Sequence, residues 1–357
     1  WFDWWGAPHH TVPAEKYAGR LNAVLAAGIS INVYMFHGGT TRSFMNGANK
    51  SRNTPYEPEI SSYDYDAPLD ESGNPTKKFR VFRSIIKKYL PKGKKLPPIP
   101  PAKPSMAVSD IHFTTVMPLK DLLSHPVKSE NPLTFEDLKQ AYGYVWYRTK
   151  LEGGHSGILK IDELRDYGIV IVNGKRVGVL DRRLGQDSMK LTLPAGKVTL
   201  DILVENLGRI NFGPYLLKNR KGITKKIVFD GKELHHWDMY GLPFNHIEAI
   251  HFHNDKPAGD EPVIRKGYFD LDSLADTYLD MSQWGKGVVW VNGHNLGRYW
   301  YIGPQQTIYL PAEWLRKGRN EIEVLELLRP GQHVLKGINH PILDSLQEDK
   351  EALFQNR

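Results

Sequence analysis

The rhythm of apolar positions changes partway along the chain. Residues 14–27 place Leu21, Val24 and Leu25 on one helical face, with Gly28 positioned to stop the helix. The next run, Ile29–Phe36 (ISINVYMF), alternates and is rich in β-formers, which predicts a buried strand ending in the tight loop Gly38-Gly39-Thr40. A long loop follows from Thr41 to about Ser62. Phe79, Phe82, Ile85 and Ile86 then recur at helical spacing over Lys77–Tyr89. Helix, strand, long loop and helix in this order fit the C-terminal part of a TIM barrel, where the loops after the strands carry function. Too few units are present to close a barrel.

Pro91–Pro104 (PKGKKLPPIPPAKP) reads as a semi-rigid linker. Beyond it, short β-rich runs recur between Gly, Asn, Asp and Pro turns, among them Tyr142–Thr149, Lys197–Val204, Gly287–Val291 and Asn320–Glu326. This is the pattern of antiparallel sandwiches. There is also an internal echo, IVIVNGKRVGV at Ile169–Val179 against VVWVNGHNLG at Val288–Gly297. Each predicts two strands joined by an Asn-Gly turn of type I′. The expected organisation is a barrel remnant over 1–90, a linker over 91–104, a first sandwich over 105–237, a second over 238–328 and a polar tail coat over 329–357. The segment 106–115 is a strand that either sandwich can take.

Composition narrows the function classes. With 40% hydrophobic and 24% charged residues the chain can bury a sizeable core. Its 9 Trp and 17 Tyr suit either β cores or sugar-stacking faces. The absence of Cys excludes disulfides, thiolate catalysis and Cys-based zinc sites. No apolar run approaches the ~18 residues of a membrane span. The net charge of +7 gathers in Lys92, Lys94, Lys95 and in Lys218, Arg220, Lys221, Lys225, Lys226, beside Gly and Pro. These runs read as solvated loops. No nucleic-acid motif accompanies them, so no nucleic-acid partner is expected.

Three segments hold candidate chemistry. Trp1-Phe2-Asp3-Trp4-Trp5-Gly6 is unusually aromatic and looks cut from the interior of a domain. Tyr34 precedes a glycine turn, where it is either a core aromatic or a phenol aimed at a barrel mouth. In Ser62–Leu69 (SYDYDAPL), the alternating Tyr and Asp suit binding of a polyol, while Asp64 and Asp66 otherwise cap turns or form an acid/base pair. His9-His10, His235-His236 and His251-x-His253 lack further ligands at metal spacing, so no metal is expected.

On these motifs the chain resembles glycoside hydrolase family 35, the β-galactosidases. The likeness rests on WFDWWG at Trp1–Gly6, NVYMFHGGT at Asn32–Thr40, GAN at Gly47–Asn49 and SYDYDAPLDESG at Ser62–Gly73. It continues through YGYVWYRT at Tyr142–Thr149, LVENLGRINFG at Leu203–Gly213 and WVNGHNLGRYWYIGPQQTIYLP at Trp290–Pro311. The resemblance implies a TIM barrel followed by two galactose-binding-like sandwiches of jelly-roll type. It also implies retaining hydrolysis of terminal β-D-galactose by two glutamates about 5 Å apart. The nucleophile glutamate falls just upstream of the position matching Trp1 and the acid/base glutamate further upstream. No catalytic residue is therefore expected in this chain, which would be inactive without the missing N-terminal barrel segment.

Residue by residue, the resemblance makes Trp1, Tyr34 and Tyr65 substrate-binding groups of the galactose pocket, with no metal or organic cofactor. His37 and the loop Arg42–Met45 depart from the family's usual version and would bear on linkage or aglycone preference. Arg209 and Arg298 would pack the sandwiches on the barrel. Zero cysteines together with this pattern suggest an exported bacterial enzyme, periplasmic or extracellular. The rival reading is a non-catalytic carbohydrate-binding module resting on the sandwiches alone.

Overall fold

The computed structural model describes residues 2–252 and 259–353. Its β-structure falls into two antiparallel assemblies with a mixed N-terminal region packed across them.

In the N-terminal region, helix α1 spans Ala14–Ala26 and helix α2 spans Lys77–Lys88. The Thr76 side chain caps α2 by accepting from Phe79 N, satisfying an amide the first turn leaves free. The helices lie together, with Tyr89 Oη donating to Asn22 at 2.9 Å and Lys77 paired to Glu15 at 2.6 Å. The buried strand expected over Ile29–Phe36 does not form. Residues 29–33 carry no ladder, and Ile29 and Ile31 are 56% and 40% exposed. A strand needs a neighbour for its backbone N–H and C=O groups, and none of the described residues runs alongside. Among the described residues the strands before the proline segment are Gly47–Asn49 and Glu57–Pro58, an antiparallel pair. The described residues of this region thus show no β/α repeat.

The first sandwich pairs a six-stranded sheet with a four-stranded one. The larger sheet runs in the order Val127–Ser129, Trp237–Leu242, Tyr144–Glu152, Lys197–Glu205, Tyr167–Val172, Lys175–Asp181. Alternation fixes its two faces. Val145, Tyr147, Val170 and Ile202 meet Leu159, Ile161, Met189 and Phe229 of the smaller sheet in one core. Trp237–Leu242 continues this sheet, so the boundary expected after residue 237 cuts a strand; the cross-strand pair Tyr240–Trp146 explains why it stays.

The second sandwich is organised by the strand Val108–Pro118. Its first half pairs with Val334–Ile338 and its second half with Val263–Leu271, so one strand serves two sheets that fold over a shared core. Segment 106–115 thereby joins the second sandwich. The tail is not only a coat, because Val334–Ile338 is an interior strand of this assembly. Both Asn-Gly turns form as expected, with φ of 50° and 82° at Asn173-Gly174 and 51° and 82° at Asn292-Gly293.

A third core joins all three regions. Trp5, Phe44, Tyr56 and Ile60 from the N-terminal region pack with Tyr144, Trp146 and Leu203 of the first sandwich and with Trp290, Trp300 and Leu325 of the second. Arg298 is buried at its centre. It donates to Glu205 Oε1 at 2.9 Å, to Asn206 O at 2.6 Å and to the Asn46 side chain, while its backbone exchanges two 2.8 Å hydrogen bonds with Ser61 Oγ. Arg298 therefore ties the three regions together. Arg209 does not. Its guanidinium stays within the first sandwich, on Glu136 at 2.7 Å and Asn219 O at 3.0 Å, and only its backbone reaches the N-terminal region, pairing with Gly47.

Candidate functional site

Two loops of the N-terminal region are zipped together. Thr41 N donates to Ser61 O at 2.8 Å, Tyr63 N to Gly39 O at 2.9 Å and Leu69 N to Phe36 O at 3.0 Å. The approach is close enough that a Cβ on Gly38 would lie 1.7 Å from Tyr63 O, which makes glycine obligatory there. Glu71 is the latch. It is 4% exposed and accepts from Thr40 Oγ1 at 2.5 Å and from Ser62 Oγ at 2.9 Å, one hydroxyl from each loop. Burial pushes its carboxyl up to about 7.

This zipper brings Tyr34 and Tyr65 together. Their rings meet edge to face with centroids 6.0 Å apart, and Tyr63 stacks on Tyr65 at 5.4 Å. Tyr34 is 74% exposed, with its ring free to face a ligand. Burial lifts the Tyr63 and Tyr65 phenols above their ordinary 10, so both remain protonated donors at neutral pH. A cleft of about 360 Å³ opens beside them, lined also by His10, Tyr17, Asp66 and Lys78. A single pyranose fits such a volume, with aromatic faces for its C–H groups and polar groups for its hydroxyls.

Tyr65 and Asp66 sit in left-handed backbone, with φ of 62° and 49°. Side chains hold that turn. Lys78 Nζ reaches both the Asp66 carboxylate and, at 2.7 Å, the Asp66 carbonyl, and Val12 N donates to Asp66 Oδ2 at 2.5 Å. Asp64 accepts from Asp66 N at 3.1 Å and from Glu71 N at 3.2 Å. Both aspartates are thus spent on loop geometry, which favours their reading as turn holders over an acid/base pair.

Trp1 lies outside the described residues. Its neighbour Asp3 gathers both adjacent histidines, with His9 Nδ1 at 2.5 Å and His10 Nδ1 at 3.0 Å. The Asp3 hydrogen bond holds the His9 imidazole above its ordinary 6.5. His235 and His236 both face Glu130, at 3.6 and 2.8 Å, and His253 lies outside the described residues. The loop Arg42–Met45 does not line the cleft. Arg42 lies 4.6 Å over the Trp314 ring and bonds Tyr309 O at 2.6 Å, while Phe44 stacks on Tyr142 at 5.6 Å. The arginine and the aromatic gain more by packing on the sandwiches than by facing water.

Sequence reasoning missed Glu71, Lys78 and Asp3 as supports of this cleft. Glu71 lies within the quoted SYDYDAPLDESG run, but nothing in its spacing says that it would be buried between two hydroxyls. Lys78 reads as one of several solvent-facing lysines of α2 until the fold turns it onto Asp66.

Comparison with known proteins agrees along the chain. Residues 1–89 match the profile described as Glycosyl hydrolases family 35, residues 132–243 that of the β-galactosidase first all-beta domain, and residues 262–320 that of the β-galactosidase galactose-binding domain. A β-galactosidase of Xanthomonas manihotis is 40% identical over 87% of this chain and 52% of its own length. One of Mus musculus is 39% identical over 92% of this chain and 54% of its own, and one of Homo sapiens is 38% identical over 92% and 52%. The chain thus spans about half the length of the curated relatives it matches. Among solved structures, a lectin from Pleurotus ostreatus in complex with GalNAc aligns at 13% identity over 65% of this chain and 86% of its own, with a TM-score of 0.22, too low to argue from. Matched in order through its N-terminal region and both β regions, the chain belongs to glycoside hydrolase family 35.

Proposed function

We propose that this chain supplies one wall of the galactose pocket of a retaining β-galactosidase, whose two catalytic glutamates lie in a preceding barrel segment. The observation that carries the reading is the meeting of Tyr34 and Tyr65, far apart in sequence, at one cleft inside the region matched to family 35. Trp1 and the two tyrosines are the substrate-binding residues in this reading. The phenols donate hydrogen bonds to sugar hydroxyls, and the aromatic faces take the apolar side of the ring. In the preceding segment one glutamate attacks the anomeric carbon, and the other protonates the leaving oxygen and then activates water.

The two sandwiches serve as a rigid support in this reading. The shared core and the buried Arg298 fix the loop region on them, and a pocket held to within ~0.5 Å needs such support. Export to the periplasm or the cell exterior belongs to the same reading. The test is turnover of aryl β-galactoside and aryl β-glucoside by the intact protein. Preference for the galactoside, with product released in the β configuration, is expected; equal turnover of both, or of neither, would refute it.

A further inference from the structure

The two basic runs of the sequence meet opposite fates in the fold. In the second run, Lys221 is buried on Asp166 at 2.6 Å, Arg220 pairs with Asp137, Lys225 with Glu163 at 2.8 Å and Lys226 with Glu233 at 4.0 Å. The first run finds no such partners among the described residues. Lys92, Lys94 and Lys95 form one side of a groove of about 850 Å³ whose other side is Arg80, Arg83 and Lys87 of α2. Among the described residues that line it there is no carboxylate. The neighbours Lys77 and Lys103 do find acids, Glu15 and Glu313.

The groove has a definite construction. Arg80, Arg83 and Lys87 recur at helical spacing on one face of α2. The chain reverses after Leu90, and Arg83 donates to Pro97 O, which folds the proline-rich segment back along the helix. The negative end of the helix dipole explains cations in the last turn, where Lys87 and Lys88 stand. Arg80 also bonds Pro75 O at 2.8 Å and Thr76 O at 3.2 Å, so both arginines spend part of their donors on backbone carbonyls. The six cations lining one groove still give it a positive potential that an anion would lower.

We propose that this groove binds an anionic saccharide, a sugar chain bearing sulfate or carboxylate groups. The lining contains no aromatic ring on which a nucleic-acid base could stack. Its apolar side chains are Leu90, Leu96 and Ile99, fewer than its cations and without the Trp or Phe that anchors an interfacial segment in a bilayer. The donors of Arg80 and Arg83 not bonded to backbone carbonyls can take sulfate or carboxylate oxygens, and the lysines supply mobile point charges for further groups along the chain.

The experiment is isothermal titration of the intact protein with a heparin-derived oligosaccharide across a salt series. Binding is read without turnover, so the outcome is independent of the galactosidase reading. The affinity is expected to fall with a log–log salt slope of roughly 3 to 4, for about five contacts to a flexible polyanion. The combined variant Lys92→Gln, Lys94→Gln, Lys95→Gln is expected to bind about tenfold more weakly or worse. A control that removes equal charge elsewhere, Lys150→Gln, Lys190→Gln, Lys197→Gln, should bind as the parent does. Equal weakening in both variants would reduce the effect to net charge and overturn the proposal. So would absence of binding, or tighter binding to oligo-dT or to phosphatidylserine vesicles than to the saccharide.

Discussion

Tyr34 and Tyr65 are the residues on which the substrate reading turns. Replacing either phenol by Phe keeps the ring packing and removes one hydrogen-bond donor. In the intact protein, Tyr34→Phe and Tyr65→Phe are each expected to lower kcat/KM for an aryl β-galactoside by about ten- to a hundredfold, the value of one hydrogen bond to a sugar hydroxyl. The far-UV circular dichroism should stay unchanged. Glu71 makes a different prediction. Its folded pKa, about 7, lies above the ordinary 4.5. Its contribution to stability is therefore full below about pH 4.5 and lost as pH rises to about 7, a change on the order of 3 kcal/mol. Thermal unfolding of the parent should show a falling Tm over that window. Glu71→Gln, which keeps an acceptor but carries no proton to lose, should flatten it; an unchanged slope would refute the assignment. The reading of Tyr34 and Tyr65 as substrate groups comes from resemblance over long, ordered motifs, and the fold adds that their rings meet. The burial of Glu71 was not legible in the sequence, since it depends on closing a loop whose hydroxyl, that of Thr40, lies 31 residues away.

At the scale of elements, local patterns that close their own hydrogen bonds were the ones read well. Both helices appear close to the expected bounds, and both Asn-Gly turns adopt positive φ at both positions. The segment Ile29–Phe36 failed because a strand's stability lies in its neighbour, and alternation along one segment says nothing about whether that neighbour is present. The two arginines of the repeated Leu-Gly-Arg motif show the same limit, since identical local sequence places Arg298 in a buried three-way junction and Arg209 at the surface. This contrast is measurable by urea unfolding. Arg298→Met leaves Glu205 and Asn46 short of a partner in the core and should cost about 3–5 kcal/mol. Arg209→Met breaks a pair with Glu136 whose partners are 38% and 32% exposed, and should cost no more than about 1 kcal/mol. Equal costs would mean that the junction does not bind the three regions.

On the scale of the whole molecule, the shared core makes the two sandwiches and the loop region one support, and the cleft lies on the loop region beside the exposed Tyr34. In the proposed reading the pocket is completed, and the covalent chemistry carried, by a preceding segment; within this chain Asp64 and Asp66 are held by backbone amides and a lysine. The most direct test is release of the aryl alcohol from an aryl β-galactoside by purified residues 1–357, with and without the preceding segment of the protein. No release above buffer by the chain alone, and turnover on adding the preceding segment, is the predicted result. Hydrolysis by residues 1–357 alone, abolished by Asp64→Asn or Asp66→Asn, would contradict it and move the catalytic carboxylates into this chain.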